Sequence, residues 1–179
     1  MLKREDSLLL IIDIQEKLVR ACKDVETISK RASILANSAQ ILSIPTVITE
    51  QYPQGLGATV EEIKTVAPEA KFVEKTYFSA LKEEGFKDLL ASYGKKQIIL
   101  CGIEAHICVY QTCLELLDLG YEVYVAEDCC SSRKEYEFIH GINLMKNEGA
   151  KISCVEMILF EWLEGAKNPK FKEVQQLIK

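Results

Sequence analysis

The stretch QIILCGIEAHICVYQTCLELLDLGYEVYVA (residues 97–126) decides the fold. Gln97–Cys101 (QIILC) is a short apolar run of strand length, and Gly102 interrupts it. Ala105–Leu119 has helical length and is closed by Gly120, a residue that commonly ends helices. Tyr121–Ala126 alternates in the period of a strand. Strand, helix and strand in that order form a βαβ unit, whose two strands run parallel. The pattern repeats outward in both directions. Towards the C-terminus come a helix over Lys134–Asn147 stopped near Gly149, a strand over Lys151–Val155, and a helical tail containing Trp162. Towards the N-terminus come a helix over Leu81–Ser92, a short strand over Lys71–Glu74, a strand over Pro45–Thr49, a helix over Val25–Leu42, and a strand over Ser7–Ile12 ending at Asp13. Strands apolar on both faces fit a parallel sheet covered by helices on both sides. The one long irregular region is Glu50–Thr59 (EQYPQGLGAT), whose Pro and Gly residues mark a loop of the kind that walls or covers an active site.

Composition narrows the function classes. With 179 residues, 48% hydrophobic, the chain has the size of a single domain, expected to span 1–179. Its formal net charge of −5 makes nucleic acid and anionic membrane poor partners. The seven cysteines, an odd number, form no C-x-x-C and share no zinc-finger spacing with His106 or His140. The apolar run Leu8–Ile12 is too short to span a membrane or to serve as a secretory core. Together these features predict a reducing, intracellular (cytoplasmic) setting.

Ligands of open parallel α/β sheets bind beyond the carboxyl ends of the strands, where strand order reverses. Three reactive side chains fall there: Asp13 after the first strand, Lys75 after the third, and Cys108 in the turn after the fourth. A thiolate is a nucleophile, and a cation and a helix N-terminus both lower a thiol pKa. Asp13 could take the thiol proton and return it to a leaving amine. Lys75 would hold Asp13 ionised and favour the thiolate. Taken singly, each has an ordinary reading, as a turn aspartate, a solvated lysine and a core cysteine. Spacing alone does not decide between the two.

The wording of the motifs adds a resemblance. IIDIQEKL (11–18), EKTYFSA (74–80) and LCGIEAHICVYQTCLELLDLGYEVYVAEDCCSSR (100–133) resemble the isochorismatase-like hydrolases, which include nicotinamidases, N-carbamoyl amine hydrolases and isochorismatases. The family's D-x-Q matches Asp13 and Gln15, its K-x-x-x-S matches Lys75 to Ser79, and its G-x5-C-V matches Gly102 to Val109. TEQYPQGLGAT (49–59) is similar to the subgroup of isochorismatase domain-containing proteins. The resemblance implies a three-layer αβα sandwich around a six-stranded parallel sheet in the order 3-2-1-4-5-6. It also implies an Asp13–Lys75–Cys108 triad and a homo-oligomer. A cis Ile103–Glu104 peptide is implied too, with the Glu104 and Cys108 amides facing the reacting oxyanion.

Two departures shape the expected activity. Nicotinamidases hold a metal with an Asp and two His, but Thr49–Pro53 contains no His, so neither metal nor cofactor is expected. Glu104 and Ala105 stand where many relatives carry a small residue and a Thr, which alters the pocket. Retention of Cys108 favours hydrolysis of a small amide or carbamoyl compound through a thioester. Gln15, Gln51, Tyr52, Tyr77 and Phe78 are the candidate pocket wall. Ether hydrolysis and a non-catalytic binding role are the alternatives.

Overall fold

The computed structural model describes residues 1–179, the side chain of Val25 excepted. Six strands are present: β1 (Ser7–Ile12), β2 (Thr46–Gln51), β3 (Lys71–Lys75), β4 (Gln97–Ile103), β5 (Glu122–Ser131) and β6 (Lys151–Ser153). They form one sheet in the order β3-β2-β1-β4-β5-β6, every pairing parallel. The helices are α1 (Glu16–Ala21), α2 (Val25–Ile41), α3 (Pro53–Leu56), α4 (Glu61–Val66), α5 (Phe86–Ser92), α6 (Tyr110–Asp118), α7 (Glu135–Asn147), α8 (Val155–Leu163) and α9 (Phe171–Gln176). The chain winds from β1 towards β3, then returns to β4 on the other side of β1 and winds towards β6. Parallel crossovers are right-handed, so this reversal places the two sets of connecting helices on opposite faces of the sheet. Accordingly α2 packs with α4, α8 and α9, whereas α6 packs with α7.

β1 and β4 are buried at every residue, as strands covered on both faces must be. The reversal between them is the switch point of the fold. Ile12 lies opposite Thr49 on one side and opposite Gly102 on the other. Gly102 is obligatory there: a Cβ would lie 2.0 Å from the Ile12 carbonyl oxygen, and φ is +136°. This close approach brings the end of β4 against the end of β1.

Several element boundaries differ from the sequence reading, each for a local reason. The helix read over Leu81–Ser92 is split into a 3-10 turn over Ala80–Lys82 and α5, because Gly85 between them is left-handed at φ +75°. The helix read over Ala105–Leu119 opens as a wide π turn over Ala105–Val109 before α6 begins. β5 runs on to Ser131 through a register shift against β4. Helices α1 and α4, each of six residues, are too short to show a clear period and were not anticipated.

Glu50–Thr59 is not a free loop. Glu50 and Gln51 complete β2, and Pro53 starts α3. Gln15 bridges Thr59, the Glu16 amide donates to the Ala58 carbonyl at 3.0 Å, and the Val60 amide donates to the Ile14 carbonyl at 3.0 Å. The Glu50 carboxylate accepts from both the amide and the hydroxyl of Thr59. The segment is therefore a wall fastened to the end of β1.

Candidate active site

Asp13 leaves β1 in the left-handed region, φ 51°, which turns its side chain back over the strand ends. It is fully buried. Oδ1 accepts from the Thr49 hydroxyl at 2.7 Å, and Oδ2 lies 2.7 Å from Lys75 Nζ.

Lys75 is the last residue of β3 and must reach past β2 to arrive there. Two inter-strand steps amount to about 10 Å, and the four-carbon lysine stem together with the aspartate side chain spans that gap. Its ammonium is 2.7 Å from Gln51 Oε1 and 3.1 Å from each of the Tyr77 and Phe78 carbonyl oxygens. An ammonium has three donors, and these three oxygens with Asp13 Oδ2 make four acceptors that hold it in one position.

The same shell revises the pocket expected from sequence. Tyr77 and Phe78 serve the lysine through their carbonyls, which leaves their rings pointing outward, 53% and 56% exposed. Gln51 is a holder of Lys75: its Nε2 donates to the Thr76 carbonyl at 2.8 Å. Gln15 is not pocket wall. It is fully buried, accepts from the Gln51 amide at 2.7 Å, and spends both its donors on the Gln51 and Gly57 carbonyls. Tyr52 is exposed, and its ring covers Gly55, where a Cβ would lie 2.4 Å from the ring edge.

Cys108 sits in the π turn, 6% exposed, where the Asp13 charge acts on its thiol. The Ile103–Glu104 bond that leads into the turn is cis. The Glu104 carbonyl accepts from the Ile107 and Val109 amides at 3.0 and 3.3 Å. On its outer side the turn rests on α7, where a Cβ on Gly141 would lie 2.9 Å from the Ala105 backbone.

The electrostatics qualify one expectation. Lys75 does act to lower the Cys108 pKa, as expected, but burial and the Asp13 charge outweigh it. Burial, and then the Asp13 charge, push the thiol up to about 12. Burial likewise raises the Asp13 carboxyl above the ordinary carboxylate range, opposed by Lys75. The resting state is therefore a protonated thiol facing a carboxylate of raised basicity.

Beside the turn, Glu104 Oε2 accepts from the amide and Nε of Arg133 at 3.1 and 3.0 Å. His106 Nδ1 meets the Ser132 hydroxyl at 2.9 Å. Glu104, His106 and Glu137 bring donor atoms within 4.8 Å of one another. That group could hold a cation, but Arg133 and Lys134 already lie against its two carboxylates. Thr49, Arg133 and Gly141 escaped sequence reading. Each acts through a partner distant in the chain, and only the strand order reveals which.

The isochorismatase domain model matches residues 7–157. Isochorismatase domain-containing protein 2 of Xenopus laevis is 39% identical over 99% of this chain and 85% of its own length. The chain belongs to the isochorismatase family. Also similar within the isochorismatase family is the secreted isochorismatase effector Isc1 of Phytophthora sojae, 37% identical over 97% of this chain and 84% of that protein. Among solved structures, the MAR1 ribonuclease from Caenorhabditis elegans has a TM-score of 0.93 at 38% identity, covering 99% of this chain and 91% of that one. The isochorismatase family fold agrees with the 3-2-1-4-5-6 sheet that the motifs implied.

Proposed function

We propose that residues 1–179 act as one domain that hydrolyses a small amide or carbamoyl compound, with Cys108 as nucleophile, Asp13 as acid–base and Lys75 as the fixed cation. The observation that carries this reading is the fully buried Asp13–Lys75 pair at 2.7 Å, with the buried Cys108 thiol under the influence of the same carboxylate. A buried ion pair is weak support for stability and is kept where a charge is needed.

Asp13 takes the Cys108 proton as sulfur attacks the carbonyl carbon. The amides of Glu104 and Cys108 receive the developing oxyanion. The carbon–nitrogen bond breaks as Asp13 gives its proton to the departing amine, leaving a thioester. Asp13 then takes a proton from water, hydroxide adds to the thioester, the acid departs, and the proton returns to sulfur. Because the thiol rests protonated, proton removal and attack are coupled, and a raised carboxyl suits both halves of the cycle.

The charge around the site favours a small molecule over RNA, the polymer that the similar Caenorhabditis elegans protein is named for. The net charge is −5, and Lys75, Arg133 and Lys134 each face a carboxylate, so a phosphate backbone meets no surplus of positive charge. The outward rings of Tyr52, Tyr77 and Phe78 next to the lysine shell favour a homo-oligomer whose neighbour closes the site. Seven free cysteines favour a reducing, cytoplasmic compartment. No helix among the described residues is long and apolar enough to cross a membrane.

The test is a panel of small amides, carbamoyl amines and vinyl ethers assayed with wild type and Cys108→Ala, with mass spectrometry for an acyl adduct on Cys108. Turnover of an amide that disappears in Cys108→Ala is expected. Ether hydrolysis that survives in Cys108→Ala would replace the thioester reading with acid catalysis by Asp13.

A further inference from the structure

Glu104 is the residue around which the site's charges are arranged. It enters the nucleophile turn, and its side chain is only 10% exposed. Its backbone carbonyl accepts from the Ile107 and Val109 amides on either side of Cys108, so its charge is fixed to the turn that carries the nucleophile. Among the described residues Arg133 is the cation paired with it, and Arg133 has turned both its amide and its Nε onto a single oxygen, Oε2. The two partners are not equivalent. The arginine side chain is 56% exposed, so water and salt screen it, whereas the carboxylate lies in the low-dielectric interior. The other cations near the turn are also taken: Lys75 lies 2.7 Å from Asp13 and Lys134 lies 3.7 Å from Glu137.

We infer that Glu104 is a specificity-determining residue that occupies Arg133 in place of a substrate anion, so that the site takes uncharged or cationic amides and rejects those carrying a carboxylate near the scissile carbonyl. This deepens the hydrolase reading and rests on Cys108 being its nucleophile. An incoming carboxylate finds Lys75, Arg133 and Lys134 already paired and meets the buried negative charge of Glu104 on its way to the sulfur. Removing that charge while keeping its shape should release Arg133 and reverse the preference.

The experiment compares alkylation of Cys108 by iodoacetamide and by iodoacetate, two reagents of the same size that differ by one negative charge. Rates are followed by peptide mapping, and their ratio is normalised to that of 2-mercaptoethanol. In the wild type the amide reagent is expected to be favoured by about tenfold or more, the scale of one charge at close range in a medium of intermediate dielectric. Glu104→Gln should move the ratio towards iodoacetate by a comparable factor, and adding Arg133→Gln should cancel that shift. A wild-type ratio equal to that of 2-mercaptoethanol, or one unchanged by Glu104→Gln, overturns the inference. The ratio is read on the thiol itself. Absence of amide turnover with the expected ratios would sink the hydrolase reading alone, and amide turnover with a flat ratio would sink this inference alone.

Discussion

Asp13 carries the most demanding chemistry of any residue in the site. The sequence placed it at a strand end, where a change to Asn should leave the fold untouched. The structure buries it completely and pairs it with Lys75, so the same change also costs stability. Because the Asn oxygen can still accept from the ammonium, the loss should stay below the roughly 3–5 kcal/mol of breaking a buried pair outright. We expect Asp13→Asn to lower kcat/KM, measured per folded molecule, by on the order of 10²-fold or more, with a fall in Tm alongside. Turnover at wild-type level would remove Asp13 from the mechanism. Activity should also depend on pH with a definite sign. Asp13 must be ionised to accept the thiol proton, and burial raises its carboxyl above 3.8. Activity is therefore lost as pH falls through that raised value, above the usual aspartate value. The Cys108 thiol, at about 12, adds no titration of its own near neutrality. A pH–kcat/KM profile that stays flat down to the ordinary aspartate range would contradict this.

At the scale of elements, the site depends on how the nucleophile turn is wedged between the end of β4 and α7. Gly141 shows which force wins. In an isolated helix an Ala there would be preferred by about 1 kcal/mol. Here the added Cβ would lie 2.9 Å from the Ala105 backbone, so the turn must move instead. Gly141→Ala should therefore reduce kcat by about tenfold or more, since small misplacements of catalytic groups are costly. A stabilised variant with normal kcat would show that the turn is not held by α7. Gln15 makes the matching case on the other side. Its three hydrogen bonds tie the end of β1 to Gln51 and Gly57. Gln15→Ala should cost about 1–3 kcal/mol for the buried groups left unpaired, read as a lower urea midpoint. It should weaken turnover only through the displaced Gln51 and Lys75. These elements were partly legible. The strands and the longer helices follow from period and from Gly stops. The π turn, the split at Gly85 and the pinned wall at Glu50–Thr59 follow from contacts that no local pattern displays.

Across the whole molecule, the exposed aromatic rings at the mouth of the site are the feature that an isolated chain does not explain. Tyr52, Tyr77 and Phe78 are all more than half exposed although they adjoin the Lys75 shell. We expect light scattering at micromolar concentration to find an oligomer. Phe78→Ser should shift it towards monomer and raise KM more than it lowers kcat, because the ring lies outside the chemistry while its backbone carbonyl remains on Lys75. A monomeric wild type with full activity would exclude a contribution from a neighbour.

The sequence by itself determined the α/β class, the parallel sheet and the three candidate residues, because hydrophobic period and residue type are local properties that survive in one dimension. The motif resemblance added the strand order. What only the tertiary structure decided is how charge and space are shared. Lys75 pairs with Asp13 while burial outweighs its pull on Cys108, Gln15 fastens backbone instead of lining a pocket, and Glu104 takes Arg133 for itself. Each of these depends on which strand ends meet at the switch point and how deeply they are buried. Coulombic and desolvation energies depend on distance and dielectric, and neither quantity can be read from positions along a chain.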